Sequence, residues 1–214
     1  MPRPTQFLAF DIGNESGRVV IGHLGRDRLS LEEIHRFPNG PVPVHGTLHW
    51  DILRLWGEIL KGLEHAGRTV HNLAALGMVT WGVDFALLDE RGELIGNPVH
   101  HRDARTNGMM APAFARVPRQ EIFKATGIQF MQINTLYQLL SLVERGSPTL
   151  KYAVTFLTIP DLFNYWLTGR KVCEFTNATT TQCYDPRAGD WARGILKRLG
   201  IPTHIFPPVV QPGT

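Results

Sequence analysis

Phe7-Leu-Ala-Phe-Asp-Ile12, Gly13-Asn-Glu-Ser-Gly17 and Arg18-Val-Val-Ile-Gly-His23 together decide the fold. The first piece is a short apolar run of strand length, the second a Gly-bounded turn, and the third a strand that returns. Leu29-Ser-Leu-Glu-Glu-Ile-His-Arg-Phe37 alternates well enough to be a third strand. Three strands joined by short turns form an antiparallel meander. Asn39-Gly40 and the prolines at 38, 41 and 43 then break the chain.

Downstream, Asp51 to about Ala66 carries apolar residues at helical spacing, with Asp51 placed as the N-cap. Leu73 to Thr80 reads as an apolar strand. Val83–Leu88 and Leu94–His100, joined by a turn at Asp89–Gly92, read as a hairpin. Helices are predicted over Arg119–Thr126, Thr135–Glu144, Asp161–Leu167 and Trp191–Leu199, and a strand over Phe156–Ile159. Gly169 is placed to close the third of these helices in the left-handed conformation. A meander, a helix, and then alternating helix and strand predict an α/β layer architecture.

The 214 residues are 43% hydrophobic and 19% charged, ordinary for a globular chain that buries a core. The net charge is +3 and the arginines are scattered among acids, so the basic stripe of a nucleic-acid binder is missing. Cys173 and Cys183 are too few for a disulfide framework and read as reduced thiols. Met1-Pro-Arg-Pro-Thr-Gln6 leads straight into an apolar run containing Asp11, which fits neither a secretory leader nor a membrane span. A cytoplasmic location, with no membrane and no nucleic-acid partner, is expected.

Four segments carry chemistry. In Asp11-Ile-Gly-Asn-Glu-Ser-Gly-Arg18, an acid ends a buried strand and a tight turn follows. Turn N–H groups and the Ser16 hydroxyl suit phosphate oxygens, Arg18 supplies positive charge, and Asp11 suits a hydrated Mg²⁺. A plain Gly-rich β-turn fits the same residues. No helix follows and no Gly-Lys-Ser/Thr is present, which excludes Rossmann and Walker A loops.

In Thr80-Trp-Gly-Val-Asp-Phe85, Gly82 permits close approach of backbone to another molecule, Trp81 offers an apolar face, and Asp84 can accept from hydroxyls. A core Trp beside a bulge is the alternative. His100-His-Arg-Asp-Ala-Arg-Thr-Asn107 suits a hydroxyl-rich or phosphorylated ligand through its two arginines, Arg102 and Arg105, and Asp103, or is a solvated loop. It is not a protein-kinase catalytic loop, because Gly108 stands where that motif needs Asn. Phe175-Thr-Asn-Ala-Thr-Thr-Thr-Gln182 could line a polar cleft or be a solvated loop.

In order and spacing these segments resemble the FGGY carbohydrate kinases, and within them the rhamnulokinase branch. Glu33–Phe37, Gly127–Phe130, Asn134-Thr-Leu-Tyr-Gln-Leu139, Pro160-Asp161 and Tyr165–Gly169 extend the likeness over nearly the whole chain. The resemblance implies an α/β, ribonuclease H-like N-terminal domain of the actin and sugar-kinase superfamily over residues 1–214, a mixed sheet with flanking helices. It implies ATP and Mg²⁺ as cofactors and L-rhamnulose, or a sister deoxyketose such as L-fuculose, as substrate.

By residue, Asn14, Glu15, Ser16, Gly17 and Arg18 match the ATP-phosphate segment, Asp11 the magnesium-side carboxylate, and Gly82 the sugar contact. Trp81, Asp84 and Arg102 stand beside it. Glu15 is awkward next to a triphosphate unless it faces solvent or Arg18. The catalytic aspartate of the family lies in a His-Asp-Thr-like segment beyond the matched stretch. No catalytic residue is therefore expected here, a C-terminal kinase domain is the missing partner, and the chain is expected to be inactive alone. A non-catalytic sugar-binding module on the same fold is the competing expectation. The apolar tail Ile201–Val210 is expected to lie open and to promote association.

Overall fold

The computed structural model describes residues 5–70 and 72–214; the leader reading of residues 1–4 lies outside them. In chain order the elements begin with β1 (Thr5–Ile12), β2 (Ser16–Leu24), β3 (Leu29–Pro38), β4 (Pro41–Val44), β5 (Thr47–Trp50), α1 (Ile52–Thr69) and β6 (Leu73–Val79). Next come β7 (Phe85–Leu88), α2 (Met110–Arg116), α3 (Arg119–Thr126), α4 (Thr135–Glu144), α5 (Pro148–Tyr152), β8 (Thr155–Thr158) and α6 (Ile159–Thr168). The last are β9 (Cys173–Glu174), α7 (Phe175–Thr180), β10 (Tyr184–Asp185), β11 (Asp190–Trp191), α8 (Arg193–Arg198) and β12 (Val209–Val210). Two compact units emerge: residues up to Val42 with Asp51–Trp81, and Pro43–Trp50 with Gly82–Thr214.

The first unit is the expected meander completed by a parallel strand. The sheet order is β3-β2-β1-β6, with β1 antiparallel to β2 and parallel to β6, so the sheet is mixed. Alternation along β1 buries Leu8, Phe10 and Ile12 on one face. Helix α1 lies under that face with Ile52, Leu55, Ile59 and Ala66 at helical spacing. Asp51 caps it as expected, accepting from the Arg54 amide at 3.2 Å. Gly62 sets how closely helix and sheet approach: a Cβ there would stand 2.6 Å from Val19 Cγ2.

The second unit corrects the expected hairpin. The two arms touch only at the tip, where Leu88 bridges Leu94 and the Ile95 amide donates to Leu87 O. All four residues of β7 are buried, and β7 pairs antiparallel with the equally buried β8. Gly96-Asn97-Pro98 ends the second arm's strand geometry. Its remainder joins β5, through Trp50 N to Pro98 O and His100 N to Leu48 O.

Helices α3 and α4 span the residues the sequence predicts, and Gly169 closes α6 with φ 75°. The expected helix at Trp191 begins two residues later, because Trp191 pairs with Tyr184 between β10 and β11.

The open apolar tail is a second correction. Ile201, Ile205 and Phe206 are buried, and the Phe206 ring lies 5.0 Å from Phe156 and 4.8 Å from Trp191. Trp191 Nε1 donates to Pro207 O at 2.7 Å, which fixes the tail on its own unit.

Candidate functional site

In the first unit the candidate residues gather at the β1–β2 turn. The Gly13 amide donates to Ser16 O at 2.8 Å, closing the turn. Asn39 holds it from the side: its amide donates to Glu15 O and its Nδ2 to Gly13 O, both at 2.8 Å. The sequence marks Asn39 only as a chain break, and nothing local reveals this contact across the meander.

Strand register sets Asp11 opposite Arg18. Arg18 Nε and Nη2 lie 2.9 and 2.8 Å from Asp11 Oδ2, with the two side chains 49% and 47% exposed. An exposed pair is worth about 0–1 kcal/mol, so Arg18 can exchange Asp11 for another anion at little cost. Asn14 Oδ1 is buried and has no donor among the described residues. A half-exposed carboxylate is a donor type that a hydrated Mg²⁺ takes, so Asp11 fits that ion.

Glu15 is exposed. Gly17 has a packing cause of its own: a Cβ there would stand 2.3 Å from the Phe37 ring. Trp81, at the end of this unit, is 8% exposed.

The second unit carries Gly82, Asp84 and Arg102. Gly82 sits against α7, where a Cβ would stand 3.2 Å from Thr180 Oγ1. Val83 holds a left-handed φ of 68°, costly for a β-branched residue. Its carbonyl is clamped by two donors from α4, Thr135 Oγ1 at 2.6 Å and Gln138 Nε2 at 3.1 Å.

Asp84 is 1% exposed and fully engaged. Oδ2 accepts from Trp50 Nε1 at 2.6 Å and from the His101 amide at 3.2 Å, and His101 Nδ1 lies 2.9 Å away. Oδ1 accepts from Gln138 Nε2 at 3.0 Å. Trp50, His100 and His101 stack at 4.2 and 4.3 Å between ring centres. Burial first, then His101, pulls the His100 pKa down to about 4. Neutral His100 accepts from the Arg102 amide through Nδ1 at 3.0 Å, and the Arg102 side chain remains exposed.

The Thr-rich segment is a helix rather than a loop. Thr179, Thr180 and Thr181 donate back to carbonyls three residues earlier, and Gln182 accepts from Asn134 Nδ2 at 3.0 Å. Trp50 is the participant that the sequence does not mark, while His101 and Gln138 fall in segments that it does mark, with no sign that they meet Asp84. They join Asp84 only through contacts of 17 to 54 residues' separation.

A mixed sheet opening on an acid-tipped hairpin, with a strained Gly-Val-Asp segment in the following unit, is the architecture of a sugar-kinase N-terminal domain. The chain belongs to the FGGY family of carbohydrate kinases, whose N-terminal domain matches residues 6–214. It is 41% identical over 205 residues to the rhamnulokinase of Oceanobacillus iheyensis, covering 96% of this chain and 44% of that protein. The rhamnulokinase of Mannheimia succiniciproducens is 41% identical over 210 residues, with 96% and 43% covered.

The chain thus spans less than half the length of the curated relatives it matches. Among solved structures, a xylulose kinase from Lactobacillus acidophilus superposes with TM-score 0.85 at 18% identity, over 98% of this chain and 43% of that one. A gluconate kinase from the same organism gives 0.86 at 18%, over 99% and 43%. These two likenesses establish the ribonuclease H-like fold. Among the described residues, no helix is long and apolar enough to cross a membrane.

Proposed function

We propose that this chain forms the sugar- and phosphate-binding half of an ATP-dependent L-rhamnulose kinase, producing L-rhamnulose 1-phosphate in L-rhamnose catabolism in the cytoplasm. The observation that carries the reading is the 41% identity to curated rhamnulokinases over 96% of the chain. The β1–β2 turn supports it on physical grounds.

In the proposed reaction the sugar's 1-hydroxyl oxygen attacks the γ-phosphorus, and the bond from that phosphorus to the ADP oxygen breaks. The hydroxyl proton passes to an aspartate in a part of the family outside residues 6–214. Such transfers depend on positioning and charge neutralisation. Turn amides from Asn14 to Gly17, the Ser16 hydroxyl and Arg18 would hold phosphate oxygens. Asp11 would hold Mg²⁺ through water, and the bound ion would neutralise charge on the β- and γ-phosphates.

Gly82 and Arg102, both in the second unit, would face the sugar. Asp84, whose oxygens are engaged by protein donors, would act by holding Gly82 and Val83 in place. Losing a general base alone costs ~10²–10⁴ in rate, so residues 6–214 by themselves are expected to bind sugar without turning it over. Calorimetric titration of L-rhamnulose against glycerol tests this, together with a coupled assay for ADP. Preferential heat from L-rhamnulose and no ADP above background are expected. Equal binding of the two polyols, or turnover, would overturn the reading.

A further inference from the structure

The turn between β1 and β2 is short of one hydrogen bond. Residues that flank a two-residue hairpin loop ordinarily exchange a pair of backbone bonds. Gly13 and Ser16 flank Asn14-Glu15, and the Gly13 amide donates to Ser16 O at 2.8 Å. Among the described residues the return bond, from the Ser16 amide to Gly13 O, is not made. The Asn39 side chain takes its place: Nδ2 donates to Gly13 O at 2.8 Å, while Oδ1 accepts from the Gly40 amide at 2.9 Å.

The Asn39 backbone acts on the same peptide as the unpaired amide. Its N–H donates to Glu15 O at 2.8 Å. In a planar trans peptide the C=O and N–H point opposite ways, so the Ser16 N–H is turned away from β3. The tight turns that close such a loop need positive φ at its first residue. Neither Asn14 nor Glu15 has positive φ, although Asn enters that region more readily than most residues. Asn39 thus holds half-closed a turn whose own residues would let it close.

We propose that Asn39 is a positioning residue for the phosphate turn, a role that rests on the turn's holding phosphate. By occupying the Gly13 carbonyl it keeps the Ser16 amide unpaired, and by occupying the Glu15 carbonyl it aims that amide. The Ser16 N–H is then a free donor for a phosphate oxygen.

Amide-proton NMR of the intact 214-residue chain reads both parts of this role. The probe is tripolyphosphate with Mg²⁺, which carries the phosphate groups of ATP without its nucleoside. In the parent, the Ser16 amide is expected to exchange rapidly with water and to shift downfield saturably with the probe. In Asn39→Ala the Gly13 carbonyl is released to the Ser16 amide. Exchange there is expected to slow several-fold, and the downfield shift to be lost. Apparent Kd is expected to rise roughly tenfold, as for one lost hydrogen bond to a charged group. A side chain that merely propped up the turn would speed exchange when removed. Should the alanine variant not fold, Asn39→Asp keeps an acceptor for the Gly40 amide, lacks the donor, and is expected to slow exchange likewise. Faster or unchanged exchange at Ser16, or an undiminished shift in Asn39→Ala, overturns the positioning role and leaves the phosphate reading standing. A parent whose Ser16 amide ignores the probe overturns the phosphate reading of the turn, and the positioning role with it.

Discussion

Gln138 Nε2 donates to Asp84 Oδ1 at 3.0 Å and lies 3.1 Å from the carbonyl of Val83, so one amide on α4 fixes both a carboxylate and the strained residue before it. With Trp50 Nε1 and His101 on Oδ2, Asp84 ties three separate stretches of the second unit together. Replacing it by Ala would orphan several buried donors at once. Asp84→Ala is expected to cost about 3–5 kcal/mol in urea unfolding, and Asp84→Asn, which keeps one acceptor oxygen but sets an NH2 against a buried donor, part of that. A loss under about 1 kcal/mol for Asp84→Ala would show that these contacts are dispensable.

Gly17 separates packing from ligand binding. A Cβ placed 2.3 Å from the Phe37 ring forces one of them to move, and Phe37 is 3% exposed. Gly17→Ala is expected to lose about 1–3 kcal/mol without any nucleotide present, and Phe37→Leu in the same chain to recover part of it. Purely additive losses in the double variant would mean that the ring is not the obstacle.

The meander, α1 with its Asp51 cap, and helices α3 and α4 were legible because local pattern and tertiary demand agree there. The β1–β2 turn was legible for the same reason, since register alone sets Asp11 opposite Arg18. The second unit was less so. β7 is buried on every residue, so no alternation announces its partner, and that partner lies some 70 residues away in β8. Asp84 was legible as a polar residue in an unusual place, but its engagement by Trp50, His101 and Gln138 was not. No periodicity encodes contacts between one side chain and three distant stretches. The tail was misjudged on the same ground: its apolar residues were visible, while the Phe156 ring that packs on Phe206 lies 50 residues earlier in the chain.

Phe206 turns that correction into a measurement. It is 4% exposed and packs its ring on both Phe156 and Trp191. Phe206→Ala is expected to destabilise by about 3–5 kcal/mol through lost burial and the cavity left behind. An open tail would instead give a near-neutral change in the midpoint of chemical unfolding, and sedimentation showing reduced self-association.

Asp161 gives stability a pH dependence with a definite sign. It lies in the first turn of α6, 3% exposed, accepting from Thr158 Oγ1 and, at 3.1 Å, from the Glu174 amide. Burial raises its pKa from 3.8 to about 6, more than the Thr158 and Glu174 hydrogen bonds lower it. Between those two values the folded chain binds the proton better than the unfolded chain. Stability from this residue is therefore fully present below pH ~4 and is lost as pH rises through about 6. A rise of that size corresponds to about 3 kcal/mol at most. Asp161→Asn, neutral at every pH, is expected to be more stable than the parent at pH 8 by an amount approaching that figure, and to show no advantage at pH 4. Its Oδ1 can still accept from Glu174, so the local geometry survives the exchange. Urea unfolding of both proteins across pH 4–8 checks this. Parallel stability curves would mean that Asp161 stays ionised in the fold, held by the Thr158, Glu174 and Cys173 donors more strongly than burial opposes them.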